Sequence, residues 1–288
     1  MRTNRADEIK TSAVPKISVC IPTYCGGLTI GAAIESVLAQ SLTDFELIVI
    51  DDGSTDNTRA IVESYSDPRL QYFHNAKNLG PQGNWNRCLE LANGEYFKLL
   101  PHDDLLHPQC LARQAAALDA DHQQNIALVF SARDVIGPSG KRLTRRGYPN
   151  GHEGPINGSS VMRTCVRRGT NLLGEPGAVL LRKTLADKVG PFDATNPYVI
   201  DLDYWFRLLT HGDAYFCVDS LASFRVSPQS WSVTIGGGQD RDFIHFAKRM
   251  YASHSASITA TDMSMMQVTS RMNKWLRLAF YSIFLKQK

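Results

Sequence analysis

Phe45-Glu46-Leu47-Ile48-Val49-Ile50-Asp51-Asp52-Gly53-Ser54-Thr55-Asp56 is an apolar, β-favouring run that breaks into two adjacent carboxylates and then into turn and helix-capping residues. A run with no polar alternation is a strand covered on both faces, and Gly53 to Asp56 carry the chemistry that turns a strand into a helix. Toward the N-terminus, Ile17 to Ile21 is a second such run, ending at Pro22-Thr23-Tyr24. Between the two, Ile30, Ile34, Val37 and Leu38 fall at helical spacing, and the connection is long enough for a right-handed crossover between parallel strands. Toward the C-terminus the pattern repeats: Thr55 to Tyr65 as helix, Leu70 to Phe73 as strand, Asn84 to Ala92 as helix, and Tyr96 to Leu100 as a strand ending at His102-Asp103-Asp104. This alternation predicts a parallel α/β sheet that binds its ligands at the carboxyl ends of the strands.

Beyond residue 110 the spacing predicts a helix over Cys110 to Ala120 and a strand over Ile126 to Ser131. The Gly-, Pro- and Arg-rich stretch from Gly137 to Gly158 reads as an exposed, mobile loop. Val161 to Arg168 follows as helix, Ala178 to Arg182 as strand, and a helix begins near Asp201 with its body over Tyr204 to Thr210. Gly236-Gly237-Gly238 interrupts the chain before a helical tail rich in Met, Phe and Leu, and there is no internal repeat.

With 31 basic and 28 acidic residues, the total charge demands neither nucleic acid nor an anionic membrane as partner. Six scattered cysteines without a CxxC pair speak against zinc and redox motifs. Met1 to Lys16 lacks the apolar core of a secretory signal, and no run approaches the ~18 apolar residues of a membrane-spanning helix. The expected location is the bacterial cytoplasm.

Three acidic clusters can carry chemistry. Asp103 and Asp104, at a strand end, repel one another and shed water, for which a hard cation such as magnesium or manganese on a diphosphate compensates; the bland alternative is a solvated loop with one helix cap. Asp51-Asp52 ends another strand, and Asp52 in the same crevice can accept a hydrogen bond from a nucleobase N–H, unless the pair only shapes its loop. Asp201 and Asp203 stand before an apolar helix, either as N-cap or, if one faces the crevice, as general base toward an acceptor hydroxyl. Neither GxGxxG after the first strand nor GxxxxGK[ST] occurs, which disfavours a Rossmann dinucleotide site and a P-loop. Lys98, Arg182, Arg207 and Arg225 are candidate phosphate partners, each with a surface charge or a carboxylate partner as the plainer reading.

Together, Ile17-Ser18-Val19-Cys20-Ile21-Pro22-Thr23-Tyr24, Ala33 to Ser41, Phe45 to Asp56, Asn78-Leu79-Gly80 and Gly94-Glu95-Tyr96 resemble glycosyltransferase family 2, over roughly residues 15 to 235. The resemblance implies a GT-A fold, α/β with a mostly parallel central sheet flanked by helices, here with a helical C-terminal extension. It implies a nucleotide-binding set of Pro22, Thr23, Tyr24, Asp51, Asp52, Asn78 and Asp103, a magnesium or manganese ion on Asp104 and Asp103, and Asp201 as catalytic base of an inverting transfer. The donor would be a nucleotide-diphosphate sugar, in particular a UDP-sugar, and the acceptor a glycan or lipid-linked glycan of bacterial surface polysaccharide synthesis. The implied division is an extended or disordered arm (1–15), a donor-binding half (16–110), an acceptor and base half (111–238) and the tail (239–288). Three positions depart from the family pattern: Pro101 and Ile200 stand where acidic residues are frequent, and Ser227 where a histidine would lie, so that metal binding rests on Asp103 and Asp104. A non-catalytic nucleotide-sugar-binding module and a nucleotidyltransferase remain as rival readings, the latter weakened by the lack of a basic residue in Pro22 to Gly27. In the tail, Met272, Trp275, Leu276, Ala279, Phe280, Ile283 and Phe284 form a helical stripe beside Arg271, Lys274, Arg277, Lys286 and Lys288. Such a stripe fits peripheral contact with the inner face of the membrane, docking on the protein's own core, or a homodimer contact.

Overall fold

Strand β1 (Ile17–Thr23) lies between β2 (Phe45–Asp51) and β4 (Tyr96–Leu99), with β3 (Leu70–His74) outside β2, all parallel. The computed structural model describes residues 14–149, 151–228, 230, 238–253 and 257–284. The expected arm as far as residue 13, Gln229, the stretch from Trp231 to Gly237, and Lys286 and Lys288 lie outside the described residues. Successive side chains of a strand point to opposite faces, and both faces here are dry. Ile17, Val19 and Ile21 join Leu47 and Val49 beneath α1 (Ile30–Leu38), α2 (Thr58–Glu63) and α4 (Cys110–Asp119). Cys20, Ile48 and Ile50 join Phe97 and Leu99 beneath α3 (Gly80–Leu91), α5 (Gly158–Arg168) and α7 (Ile200–Leu209). Burial on both sides is why these strands read as continuous apolar runs.

The second half extends the same sheet. The strand order is β3-β2-β1-β4-β9-β6-β10-β5, with β9 (Val179–Arg182) antiparallel to both β4 and β6 (Ile126–Ile136), and β6 parallel to β10 (Asp213–Arg225). The short strand β5 (Leu105–Leu106) pairs antiparallel with β10, and α6 (Lys183–Val189) follows β9.

The loop expected over 137–158 contains two short strands. β7 (Arg142–Arg146) folds back on β6, and β8 (Gly154–Ile156) pairs with β10. The β6–β7 connection closes through Gly137 N to Lys141 O (2.9 Å) and Gly140 N to Gly137 O (3.0 Å), with Gly140 at φ +82°. Because β7 is solvent-exposed along most of its length, it carries Arg-Leu-Thr-Arg-Arg and no apolar alternation by which to recognise it.

Helices α8 (Gln239–Ser253) and α9 (Ala260–Phe284) form the tail, and α9 packs on α5 and α8. The seat of α9 is the C-cap of α5. Gly169 there adopts φ +62°, and a β-carbon on it would lie 2.6 Å from the backbone nitrogen of Ser270. Asn273 Nδ2 donates to Arg168 O (2.7 Å), and Arg163 pairs with buried Asp262 (2.9 Å). Docking on the protein's own core is thus the state of one face of the tail.

Gly94 explains part of the Gly-Glu-Tyr signature. Its nitrogen donates to Ser18 Oγ (2.7 Å), and a β-carbon would meet the Ser18 backbone nitrogen at 2.5 Å. Backbone cannot give way as a side chain can, so Gly94→Ala is expected to lower stability by about 1–3 kcal/mol. The readout is a lower denaturant midpoint at unchanged slope; a midpoint equal to that of the parent would show that β1 tolerates the methyl group.

Candidate active site

The loop leaving β4 turns sharply, Asp104 N donating to Pro101 O at 3.0 Å, and sends Asp104 inward until it is 2% exposed. Arg225, at the end of β10, holds it there. Its backbone N–H donates to Asp104 Oδ1 (2.9 Å), its Nε to Asp103 O (2.8 Å), and its Nη1 to Gly137 O and Pro138 O (3.2 and 3.0 Å). Ser230 Oγ reaches Asp103 Oδ2 at 3.4 Å. Burial, and next the negative charge of Asp103, push the Asp104 carboxyl well above its ordinary range; Glu175 adds to this, and the Arg225 N–H opposes it.

Asp201 sits in the first turn of α7, whose N-cap is Val199, so neither Asp201 nor Asp203 is the cap. Its Oδ1 accepts from Leu202 N (2.7 Å) and its Oδ2 from Asn171 Nδ2 (2.9 Å). Asn171 is itself fixed by Gly174, accepting from Gly174 N and donating to Gly174 O, both at 3.0 Å; Trp205 Nε1 donates to the same carbonyl at 3.2 Å. Glu175 follows in this loop, paired to Arg133 Nε at 2.5 Å. Burial, then the charge of Glu175, raise the Asp201 carboxyl to about 7. Two residues along a helix turn through about 200°, so Asp203 faces away from Asp201, into ion pairs with Arg207 (3.1 Å) and Arg249.

Asp103, Asp104, Glu175 and Asp201 line one cavity of about 210 Å³. Arg146 of β7 and Arg277 of α9 also line it. The first doublet is not part of it, which corrects the expectation of one chamber shared by both pairs. Asp51 Oδ1 accepts from Ser54 N (2.8 Å) and Oδ2 from the Tyr72 hydroxyl (2.7 Å). Burial works to raise the Asp51 carboxyl, but the Ser54 and Tyr72 hydrogen bonds outweigh it and leave it below its usual range. Asp52 Oδ1 accepts from Asn75 Nδ2 (2.7 Å) and Leu79 N (2.9 Å), and exposed Asn78 accepts from Gly80 N (2.9 Å).

The two doublets nevertheless share one edge of the sheet, since Thr23 registers with Asp51 and Cys20 with Leu99. Gly26 packs between Thr23 and the His102 ring, where a β-carbon would lie 2.9 Å from His102 Cδ2, so the loops after β1 and β4 touch. At that junction Thr23 Oγ1 is buried with no hydrogen-bond partner among the described residues, Pro22 is buried, and the Tyr24 ring is half exposed.

The candidate phosphate cations are already engaged: Lys98 with Gln114 and Val179 O, Arg182 with Asp121, Arg207 with Asp203, and Arg225 as above. Among the described residues no three His, Cys, Asp or Glu side chains converge to hold an ion. Asp103 and Asp104 fit a hard cation through the charge they crowd together and their oxygen donors, with further positions left to ligand or water oxygens. Asn171, Glu175 and Arg146 escaped the sequence reading, and Arg277 entered it only as a cation beside the apolar stripe of the tail. Glu175 alone had a signal, being a carboxylate beside a proline just before an apolar strand.

Residues 18–189 match the family described as Glycosyl transferase family 2. An uncharacterised glycosyltransferase of Rickettsia typhi is 32% identical over 74% of this chain and 64% of its own length. A shorter match, 40% identical over 32% of this chain and 31% of its own, is to the GalNAc(5)-diNAcBac-PP-undecaprenol beta-1,3-glucosyltransferase of Campylobacter jejuni. The crystal structure of Staphylococcus aureus TarS 1–349 with UDP-GlcNAc superposes with a TM-score of 0.66 at 21% identity, covering 95% of this chain and 76% of that one. The mannosyltransferase PcManGT of Pyrobaculum calidifontis, in complex with GDP-Man and Mn2+, does so at 0.62 and 17%, covering 94% and 76%. At such identities the likeness speaks for the fold. The chain spans less than two thirds of the Rickettsia relative's length. With the family match running from β1 through α6, the chain belongs to glycosyl transferase family 2, a family of transferase enzymes, and has its GT-A fold.

Proposed function

We propose that this chain moves a sugar, with inversion, from a nucleotide-diphosphate sugar, in particular a UDP-sugar, to a hydroxyl of a glycan or lipid-linked glycan in bacterial surface polysaccharide synthesis. The observation that carries this reading is the convergence of Asp201 with Asp103 and Asp104 on one cavity. Asp201 is the base: its carboxylate takes the acceptor hydroxyl proton as that oxygen attacks C1 of the donor sugar, and the diphosphate leaves from the opposite side. A carboxyl raised to about 7 is suited to this role, because it is both ionised and basic near neutral pH. Asn171 and the Leu202 N–H fix its two oxygens, so the base is aimed before substrate arrives.

Asp103 and Asp104 would hold a magnesium or manganese ion, which when bound offsets charge growing on the leaving diphosphate. A manganese-containing complex of PcManGT supports the choice of metal. The nucleotide would lie over the loops after β1 and β2. Thr23 Oγ1, left without a partner, and the open Tyr24 ring favour a base stacked there, with Asp52, Asn78 and Pro22 around it. Asp51, both oxygens taken, serves by shaping that loop. The lipid-linked acceptor is supported by the undecaprenol-linked substrate in the Campylobacter relative's name, and the UDP-sugar by the TarS complex.

Asp201→Asn keeps the size of the side chain and one of its two accepted hydrogen bonds but cannot take a proton. It is expected to lose transfer by about 10²–10⁴-fold while binding UDP-sugar as tightly as the parent; undiminished turnover removes Asp201 from the role, and a parent that binds donor but never releases nucleoside diphosphate makes the chain a binding module.

The pH profile provides a separate check. Since the working form is ionised and the carboxyl stands at about 7, kcat/KM should fall about tenfold per pH unit below that value. Glu175→Gln removes a like charge that raises the Asp201 carboxyl, so the acid limb should move to lower pH. A limb that stays in place, or moves up, contradicts the electrostatic account.

A further inference from the structure

We propose that the outer face of α9 docks on an anionic lipid surface and holds the cavity at that surface. The helix has two different sides. On the inner side Met266 and Ser270 are buried, Arg277 lies over the Tyr198 ring at 5.0 Å, and Arg277, Phe280 and Tyr281 line the cavity that contains Asp201. On the outer side Val268, Met272, Trp275, Leu276 and Ile283 are all exposed, Trp275 to 71% and Val268 to 68%. Their spacing of three or four residues, with Ala279 between Leu276 and Ile283, makes one ridge along the helix. Scattered apolar residues are ordinary on a protein surface, whereas a continuous ridge marks a contact.

Charge selects the occupant. The sole acidic residue of α9, Asp262, is buried against Arg163 and Thr259. Beside the ridge stand exposed Arg271 on α9 and exposed Arg167 and Arg168 at the end of α5, with Arg167 Nε 3.1 Å from Met265 Sδ. An apolar ridge carrying an exposed tryptophan and flanked by cations is the composition of a helix lying in the plane of an anionic bilayer. A second copy laid on the same face would bring these arginines together without carboxylates to receive them. Among the described residues no helix is long and apolar enough to cross a membrane, so the contact is in the plane of the surface. The placement extends the transfer reading, since an acceptor carried on a lipid would meet the cavity at the surface where α9 lies.

The test is flotation of the full chain with phosphatidylcholine vesicles and with vesicles that also contain phosphatidylglycerol. It uses neither donor nor acceptor, so its failure would leave the transfer reading untouched. The protein is expected to float with the phosphatidylglycerol vesicles and far less with phosphatidylcholine alone. Trp275→Ser with Leu276→Ser should reduce the bound fraction about tenfold or more at unchanged melting temperature, and Arg167→Glu with Arg271→Glu should abolish the preference for phosphatidylglycerol. Absence of the parent from both vesicle fractions, or equal flotation of the Trp275→Ser, Leu276→Ser variant, overturns the proposal. So does a dimer in solution that this same variant splits into monomers, which would assign the face to a second copy.

Discussion

Arg225 joins three parts of the sheet at one point, its backbone N–H on Asp104, its guanidinium on the carbonyls of Asp103, Gly137 and Pro138. The end of β10, the loop after β4 and the β6–β7 turn are therefore fixed relative to one another by one residue. The contact matters because it holds two neighbouring carboxylates at the base of a cavity, where their repulsion and loss of water oppose folding. Asp104 accepts a backbone N–H and Asp103 a serine hydroxyl, and neither forms a salt bridge among the described residues, so that the pair retains its demand for a cation. Across the cavity the same device recurs: Asp201 accepts from Asn171 and a helix N–H and has no cationic side chain bound to it, while Asp203, on the other side of the helix, is paired with two arginines. Asp103, Asp104 and Asp201 face the cavity without a salt bridge among the described residues, whereas Glu175 and Asp203 are each paired with arginine.

The tail ties this chemistry to the rest of the molecule. α9 reaches the cavity wall through Arg277, Phe280 and Tyr281, and is seated by contacts that depend on the left-handed C-cap at Gly169. The helix thus lines the site on one side and presents an exposed apolar ridge on the other.

The half of the fold that reads clearly from sequence is the half buried on both faces. β1, β2 and β4 are buried along both faces, and the few polar residues within them, such as Ser18, Glu46 and Lys98, are buried with hydrogen-bond partners, while α1 shows its Ile30-Ile34-Val37 stripe. β7 is an exposed arginine-rich strand, and β10 carries register shifts around Cys217, Ser220 and Ala222 that break the alternation by which a strand is recognised. The same division holds for the site. Asp103, Asp104 and Asp201 stand at element ends, where local rules apply. The choice between Asp201 and Asp203 depends on Arg249, more than forty residues away. Nothing local distinguishes the loop-shaping Asp51-Asp52 from Asp103-Asp104, because the difference lies in Tyr72, Asn75 and Leu79 closing over the first pair. Asn171, Glu175 and Arg277 acquire meaning only when the chain has folded.

In the proposed transfer Asp104 supplies the negative charge through which a divalent ion and the donor diphosphate would bind together, with Asp201 apart from that step. Thermal shift with UDP, in the presence and absence of Mn2+, measures this directly, because a ligand that binds the folded state raises the melting temperature by mass action. UDP is expected to stabilise the parent and Asp201→Asn far more with Mn2+ than without, and Asp104→Asn, which keeps the hydrogen bond from Arg225, to lose the Mn2+-dependent part. An equal Mn2+-dependent rise in Asp104→Asn would contradict it.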